Sequence, residues 1–143
     1  MKLTIQHIFD ATPVLNGIKN DNRPIPAKGK YRISRMLRAI QPEWELIAER
    51  YNVMVRAYDN KRPMINGERV EPTAENLANP NCVMQDAVPD DKWQEFVDAW
   101  KVVGAEEVEV AVEPIPLDQL CIDGREDGIT IAEFSVLDTL VDG

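Results

Sequence analysis

Histidine is almost absent from this chain: His7 is the only one among 143 residues. Any serine or cysteine nucleophile that needs an imidazole base would have to use it. No nucleophile elbow or cysteine-protease signature surrounds it, so it reads as an ordinary packing or surface histidine. Cysteine is nearly as scarce. Cys82 and Cys121 lie far apart without CxxC spacing, and read as two reduced thiols of a protein made in the cytoplasm. Cys and His together are too few for a structural zinc site, which takes about four such ligands. Phosphate-cradling loops of the form GxGxxG, GxxxxGKS or GxxxxGKT are missing. No run of about 18 apolar residues exists, so no transmembrane helix is expected. The opening Met1-Lys2-Leu3-Thr4-Ile5-Gln6-His7 lacks the apolar core of a signal peptide. Nothing in this inventory implies a cofactor or a metal.

Positive charge runs out half-way along the chain. Residues 1–62 hold twelve Lys and Arg against six Asp and Glu, a net of +6. Residues 63–143 hold four against nineteen, a net of −15, and the whole chain is −9. Halves of opposite sign either attract each other within one molecule or present two surfaces to partners. Five of the cations, Lys28, Lys30, Arg32, Arg35 and Arg38, fall within eleven residues, with Tyr31 interleaved. On a helix, residues 28, 32 and 35 share a face. The strong overall negative charge argues against nucleic acid as the partner. A partner's acidic surface, or the acidic half of another copy, fits better.

The clearest structural signal is the recurrence of Ile33, Leu37, Ile40, Trp44, Ile47, Tyr51, Met54 and Tyr58 at alternating spacings of four and three. That pattern places all eight on one stripe of a helix of about 30 residues. Pro42 falls off the stripe and either kinks this helix or splits it into a hairpin near Gln41. The stripe reads as core, with helix pairing or a coiled coil as the alternative. An earlier helix is expected from about Gln6 to Asn16, with Gly17 as its stop. Residues 18–29 read as a loop.

Residues 59–89 look like an irregular insertion, with Asn66-Gly67 as a hairpin turn inside it. A helix is expected from about Asp91 to Val103, capped by Asp91 and Gln94, with Trp93, Phe96, Val97, Trp100 and Val103 on its apolar face. Residues 107–113 alternate strictly, so Val108, Val110 and Val112 face inward while Glu107, Glu109 and Glu113 face solvent. Pro114 and Pro116 end that strand or put it at an edge. The run Asp123-Gly124-Arg125-Glu126-Asp127-Gly128 imitates a calcium loop. Arg125 and Phe134 stand where such a loop needs a carboxylate and a bidentate glutamate, so it reads as a turn. A last helix from about Ile131 to Val141 follows, with Thr130 and Glu133 as a capping box and Ile129 and Phe134 as a hydrophobic staple.

These elements predict one domain over residues 1–143. The fold class is α+β: a long amphipathic helix or helical hairpin packed with two shorter helices and a small β-sheet. The layout resembles an uncharacterised family of small tailed-bacteriophage proteins encoded near structural and morphogenesis genes. The likeness rests on Met1-Lys2-Leu3-Thr4-Ile5, on Pro26-Ala27-Lys28-Gly29-Lys30-Tyr31-Arg32-Ile33-Ser34-Arg35, on Glu107-Val108-Glu109-Val110 leading into Ile115-Pro116-Leu117, and on the leucine-bearing last helix. Residues 59–89 have no counterpart in it. The resemblance implies a phage origin and a non-enzymatic role, and it carries over no catalytic residues. The expected function is an accessory virion or assembly protein that docks on other phage proteins or on copies of itself, in the host cytoplasm or the particle. The candidate interaction residues are Lys28, Lys30, Arg32, Arg35, Arg38, Glu107, Glu109 and Glu113. The alternative is an inhibitor of a host nuclease or defence complex that uses its acidic half to mimic phosphate charge.

Overall fold

The computed structural model describes residues 1–120 and 130–142. Cys121, the false calcium loop from Asp123 to Gly128, and Ile129 of the expected staple lie outside them. In chain order the elements are β1 (Lys2–Thr4), α1 (Ile5–Asn20), α2 (Ala27–Arg56), β2 (Lys61–Ile65), β3 (Glu68–Arg69), α3 (Ala74–Leu77), β4 (Cys82–Asp86), α4 (Trp93–Gly104), β5 (Glu107–Glu109), β6 (Ile115–Pro116), α5 (Ile131–Leu137) and β7 (Val141–Asp142). The fold is α+β, with a long helix, shorter helices and small sheets. It divides into two compact units, residues 1–48 with 102–143, and residues 49–101. The stripe on α2 serves both: Ile33, Leu37, Ile40 and Ile47 are buried in the first unit, and Tyr51 belongs to the second. The helix runs unbroken through Pro42, which is exposed.

In the first unit, Thr4 caps α1 by accepting from the His7 N–H at 3.1 Å. The helix runs through Pro13 and continues past Gly17, its expected stop. A proline inside a helix costs about 3 kcal/mol. Burial of one Leu or Ile side chain returns about 1.5–3 kcal/mol, and α1 buries Ile5, Ile8, Leu15 and Ile18 on one side. The exposed Pro13 is therefore tolerated, and the need to bury Ile18 carries the helix to Asn20. Thr12, the buried polar side chain of α1, donates to the Ile8 carbonyl at 2.8 Å. His7 is held at both ring nitrogens: Nε2 lies 3.0 Å from the Val136 carbonyl and Nδ1 lies 3.3 Å from Thr139 Oγ1. A carbonyl only accepts, so Nε2 carries the proton and Nδ1 accepts from the hydroxyl.

Strands β1 and β5 pair antiparallel, with Lys2 opposite Glu109, Leu3 opposite Val108 and Thr4 opposite Glu107. The strand expected over 107–113 is regular only as far as Glu109, although Val110 still exchanges hydrogen bonds with Met1. The inward-outward alternation continues all the same: Val110 is buried while Ala111 and Glu113 are exposed. The last helix is also shorter than expected. Thr130 and Glu133 form the capping box, but α5 stops at Leu137, where Asp138 takes a positive φ of 23°. Leu140 and Val141 are then buried from a 3-10 turn and from β7, which pairs parallel with β6. The other surprise is the start of α2 at Ala27, inside the expected loop. Gly29 is buried there, and a Cβ at this position would stand 1.8 Å from the Gln119 carbonyl oxygen.

In the second unit, the segment expected to be irregular forms a three-stranded antiparallel sheet in the order β3-β2-β4. Asn66 and Gly67, with φ of 53° and 80°, make the two-residue turn that joins β2 to β3. Pro63 sits in the central strand without breaking it. Its carbonyl accepts from the Val70 N–H at 3.1 Å, so its missing donor also faces the β3 side, beyond the end of that two-residue strand. Helix α4 is reached through a 3-10 turn at Asp90–Lys92 instead of the expected Asp91 cap, and Gln94 donates to Asp98 at 3.0 Å. Phe96 and Trp100 are buried, each edge-on to Tyr51 at centroid distances of 5.3 and 5.0 Å. Trp93, expected on the same buried face, is 52% exposed.

Two predictions follow from the first unit. Gly29→Ala forces backbone against backbone, so it should destabilise the protein by about 1–3 kcal/mol or more, read as a lower midpoint in urea unfolding. The second concerns Glu133. Burial pushes its pKa up, but hydrogen bonds from Arg23 and Thr130 outweigh that and hold it below the usual carboxylate value. A group depressed in the folded state contributes stability above its unfolded pKa and loses it as pH falls through the folded one. Stability should therefore fall with acidification from about pH 4.5 downward. Glu133→Gln should flatten that part of the stability–pH curve.

Candidate interaction surface

The first fourteen residues of α2 are pinned by one face. Gly29, Ile33, Met36, Leu37 and Ile40 are buried, so their spacing fixes which side chains flank them. At 3.6 residues per turn, Lys28, Arg32 and Arg35 fall together on one flank of this stripe. Lys30 falls on the opposite flank and Arg38 on the outward side. Of the five candidate cations, the fold therefore gathers three.

The gathered three line a groove of about 620 Å³. Tyr31 and Met36 complete the helical wall, and Ala111, Val112, Glu113 and Ile115 form the facing one. Lys28 and Arg35 are exposed, and Arg32 is half-buried. Tyr31 is 63% exposed, and the Arg35 guanidinium lies 5.9 Å from its ring centroid. At an exposed position this cation–π contact is worth about 0.5–1 kcal/mol, enough to bias Arg35 toward the groove.

Among the described residues, none of Lys28, Lys30, Arg32, Arg35 and Arg38 forms an ion pair. Cations elsewhere do: Arg23 holds Asp21 and Glu133, Arg56 holds Glu49, and Arg62 and Arg69 share Asp90. The candidate glutamates separate in the same way. Glu109 accepts from the N-terminal amine at 2.9 Å and stands opposite Lys2 across the β1–β5 pair, with Glu107 two residues away on the same exposed face. Of the three, Glu113 alone lines the groove, and it forms no ion pair with the cations among the described residues. The groove therefore offers three positive charges, one negative charge and a partly apolar lining. Cations of this kind can form charge-assisted hydrogen bonds to an anionic group.

Sequence reasoning put Lys28, Arg32 and Arg35 on one helical face with Tyr31 interleaved, and named Glu113 without bringing it to them. Met36, Ala111, Val112 and Ile115 were missed as groove residues. About 80 positions separate the two walls, and no local pattern announces their meeting. Among the described residues, no three His, Cys, Asp or Glu side chains converge as metal ligands would. No helix there is long and apolar enough to cross a membrane. No protein-family model, curated protein or solved structure matches this chain.

Lys28 and Arg35 are exposed and carry no ion pair among the described residues, so they contribute little to folding. Combined Lys28→Glu and Arg35→Glu substitutions should change unfolding free energy by no more than about 0.5–1 kcal/mol, measured by urea titration.

Proposed function

We propose that this protein is a non-enzymatic accessory protein of a tailed bacteriophage, acting in the virion or in its assembly by docking on other phage proteins. The observation that carries this reading is the set of groove cations that form no ion pair among the described residues. A charged side chain held on a rigid helix, over a concave surface, is pre-organised for a ligand of opposite charge. Support also comes from the likeness of Pro26–Arg35 to the phage family, because that segment contains all three groove cations. The one histidine already has both ring nitrogens engaged within its own unit, in keeping with a binding role. Made in the host cytoplasm, such a protein would join its partner there or on the particle.

Docking by exposed charge has a definite signature, because salt screens it over a Debye length of about 8–10 Å near physiological ionic strength. The protein should be found in purified particles by mass spectrometry, or be recovered with a phage structural protein from infected cells. The association should weaken as salt rises, and Lys28→Glu with Arg35→Glu should weaken it at low salt. Absence from particles, together with failure to recover any phage protein, would refute the proposal.

A further inference from the structure

We infer that the groove takes an extended acidic segment of a partner protein, not a nucleic-acid backbone. This rests on the binding role proposed above and names the chemistry of what is bound. The first argument is spacing. Lys28 and Arg32 are one turn apart, a rise of about 6 Å along the helix. On an extended chain, two residues on the same side lie about 6.5–7 Å apart. Acids at alternate positions of a strand can therefore meet successive cations of α2.

The second argument is the facing wall. Among the described residues, the backbones of Ala111 and Glu113 make no hydrogen bond, although their neighbours do: the Val110 N–H reaches the Met1 carbonyl and the Val112 N–H reaches the Val110 carbonyl. Free main-chain groups beside a groove are what a peptide backbone can pair with. A nucleic-acid backbone has no matching alternation of N–H and C=O. The third argument is Glu113, which lines the same groove as the cations and adds a negative charge to it. A uniform polyanion must bring one of its phosphates against it. A peptide can set a neutral or basic side chain there and keep its acids for Lys28, Arg32 and Arg35.

A second copy of this chain is a poorer occupant. Its alternating acidic run begins at Glu107–Glu109, and that stretch is already paired with β1. Glu109 is further engaged by the N-terminal amine.

Fluorescence anisotropy with the full chain tests the inference. The probes are a labelled peptide of alternating glutamate and valine ending in lysine, the same peptide with glutamine for glutamate, and an oligothymidylate of equal charge. The glutamate peptide should bind, and the glutamine peptide should bind at least about tenfold more weakly. Lys28→Glu with Arg35→Glu should cost about tenfold or more, and Lys28→Glu alone should cost part of that. The oligothymidylate should bind less tightly than the glutamate peptide, and Glu113→Gln should narrow the gap. The inference fails if the glutamate peptide does not bind, if either charge change leaves its affinity untouched, or if the oligothymidylate binds more tightly. It also fails if light scattering shows salt-sensitive self-association that the paired reversal abolishes, since the occupant is then a second copy. If the peptide fails while the protein still joins particles through Lys28 and Arg35, only this inference falls. If particle association is missing as well, the binding role falls with it.

Discussion

The groove exists because two stretches of backbone touch at Gly29. Its α-carbon lies so close to the Gln119 carbonyl that no methyl group fits between them. This contact sets the first turns of α2 beside the chain that leads from β5 to β6 and on through the 3-10 turn at Leu117–Gln119. Everything argued for the interaction surface follows from that approach. The buried face of α2 is fixed by Ile33, Met36, Leu37 and Ile40. The flank that remains must carry Lys28, Arg32 and Arg35, and it must carry them opposite Glu113. A bulkier residue at position 29 would push the walls apart before any charge was altered.

Elements with strong periodicity were legible in the sequence. The four-three alternation from Ile33 to Tyr58 marks α2, and the strand pattern Glu-Val-Glu-Val marks the alternation that continues past β5. The Thr130–Glu133 box and the Asn66-Gly67 turn also announce themselves, since each needs only residues close in sequence. Boundaries were harder to read, and the physical reason is the same in each case. Gly17 and Pro13 are local stop signals overruled by burial of Ile18 and Leu15. Gly29 looked like a loop residue because its role, admitting the Gln119 backbone, is written about 90 residues away. The last helix looked longer because Leu140 and Val141 are apolar, and their burial is achieved from a 3-10 turn and a strand instead.

The interaction surface was half legible for a related reason. A helical wheel places residues 28, 32 and 35 together, and separates Lys30 and Arg38 once the buried stripe is known. The wheel says nothing about what faces them. Glu113 stands in the sequence as a solvent-facing strand residue and candidate contact, and its place in the same groove as the cations depends on tertiary contacts. Trp93 shows the limit from the other side. It lies at a helical spacing that suits the apolar face, and its ring meets Phe96 at a centroid distance of 5.6 Å, but at the first residue of α4 it stays half in solvent.

The placement of Pro63 decides how the three-stranded sheet can grow. Because its carbonyl faces β3, its neighbours Arg62 and Met64 must point their main-chain groups at β4. Those groups occupy the N–H and C=O of Gln85 and Val83, which leaves the polar groups of Met84 directed away from the sheet. The β4 margin is thus an open hydrogen-bonding rail beside two exposed apolar side chains, Val83 and Met84. Margins of this kind zip together when protein is concentrated. Asp86 at the end of the rail supplies like-charge repulsion between two such margins, and a neutral residue there would remove the guard.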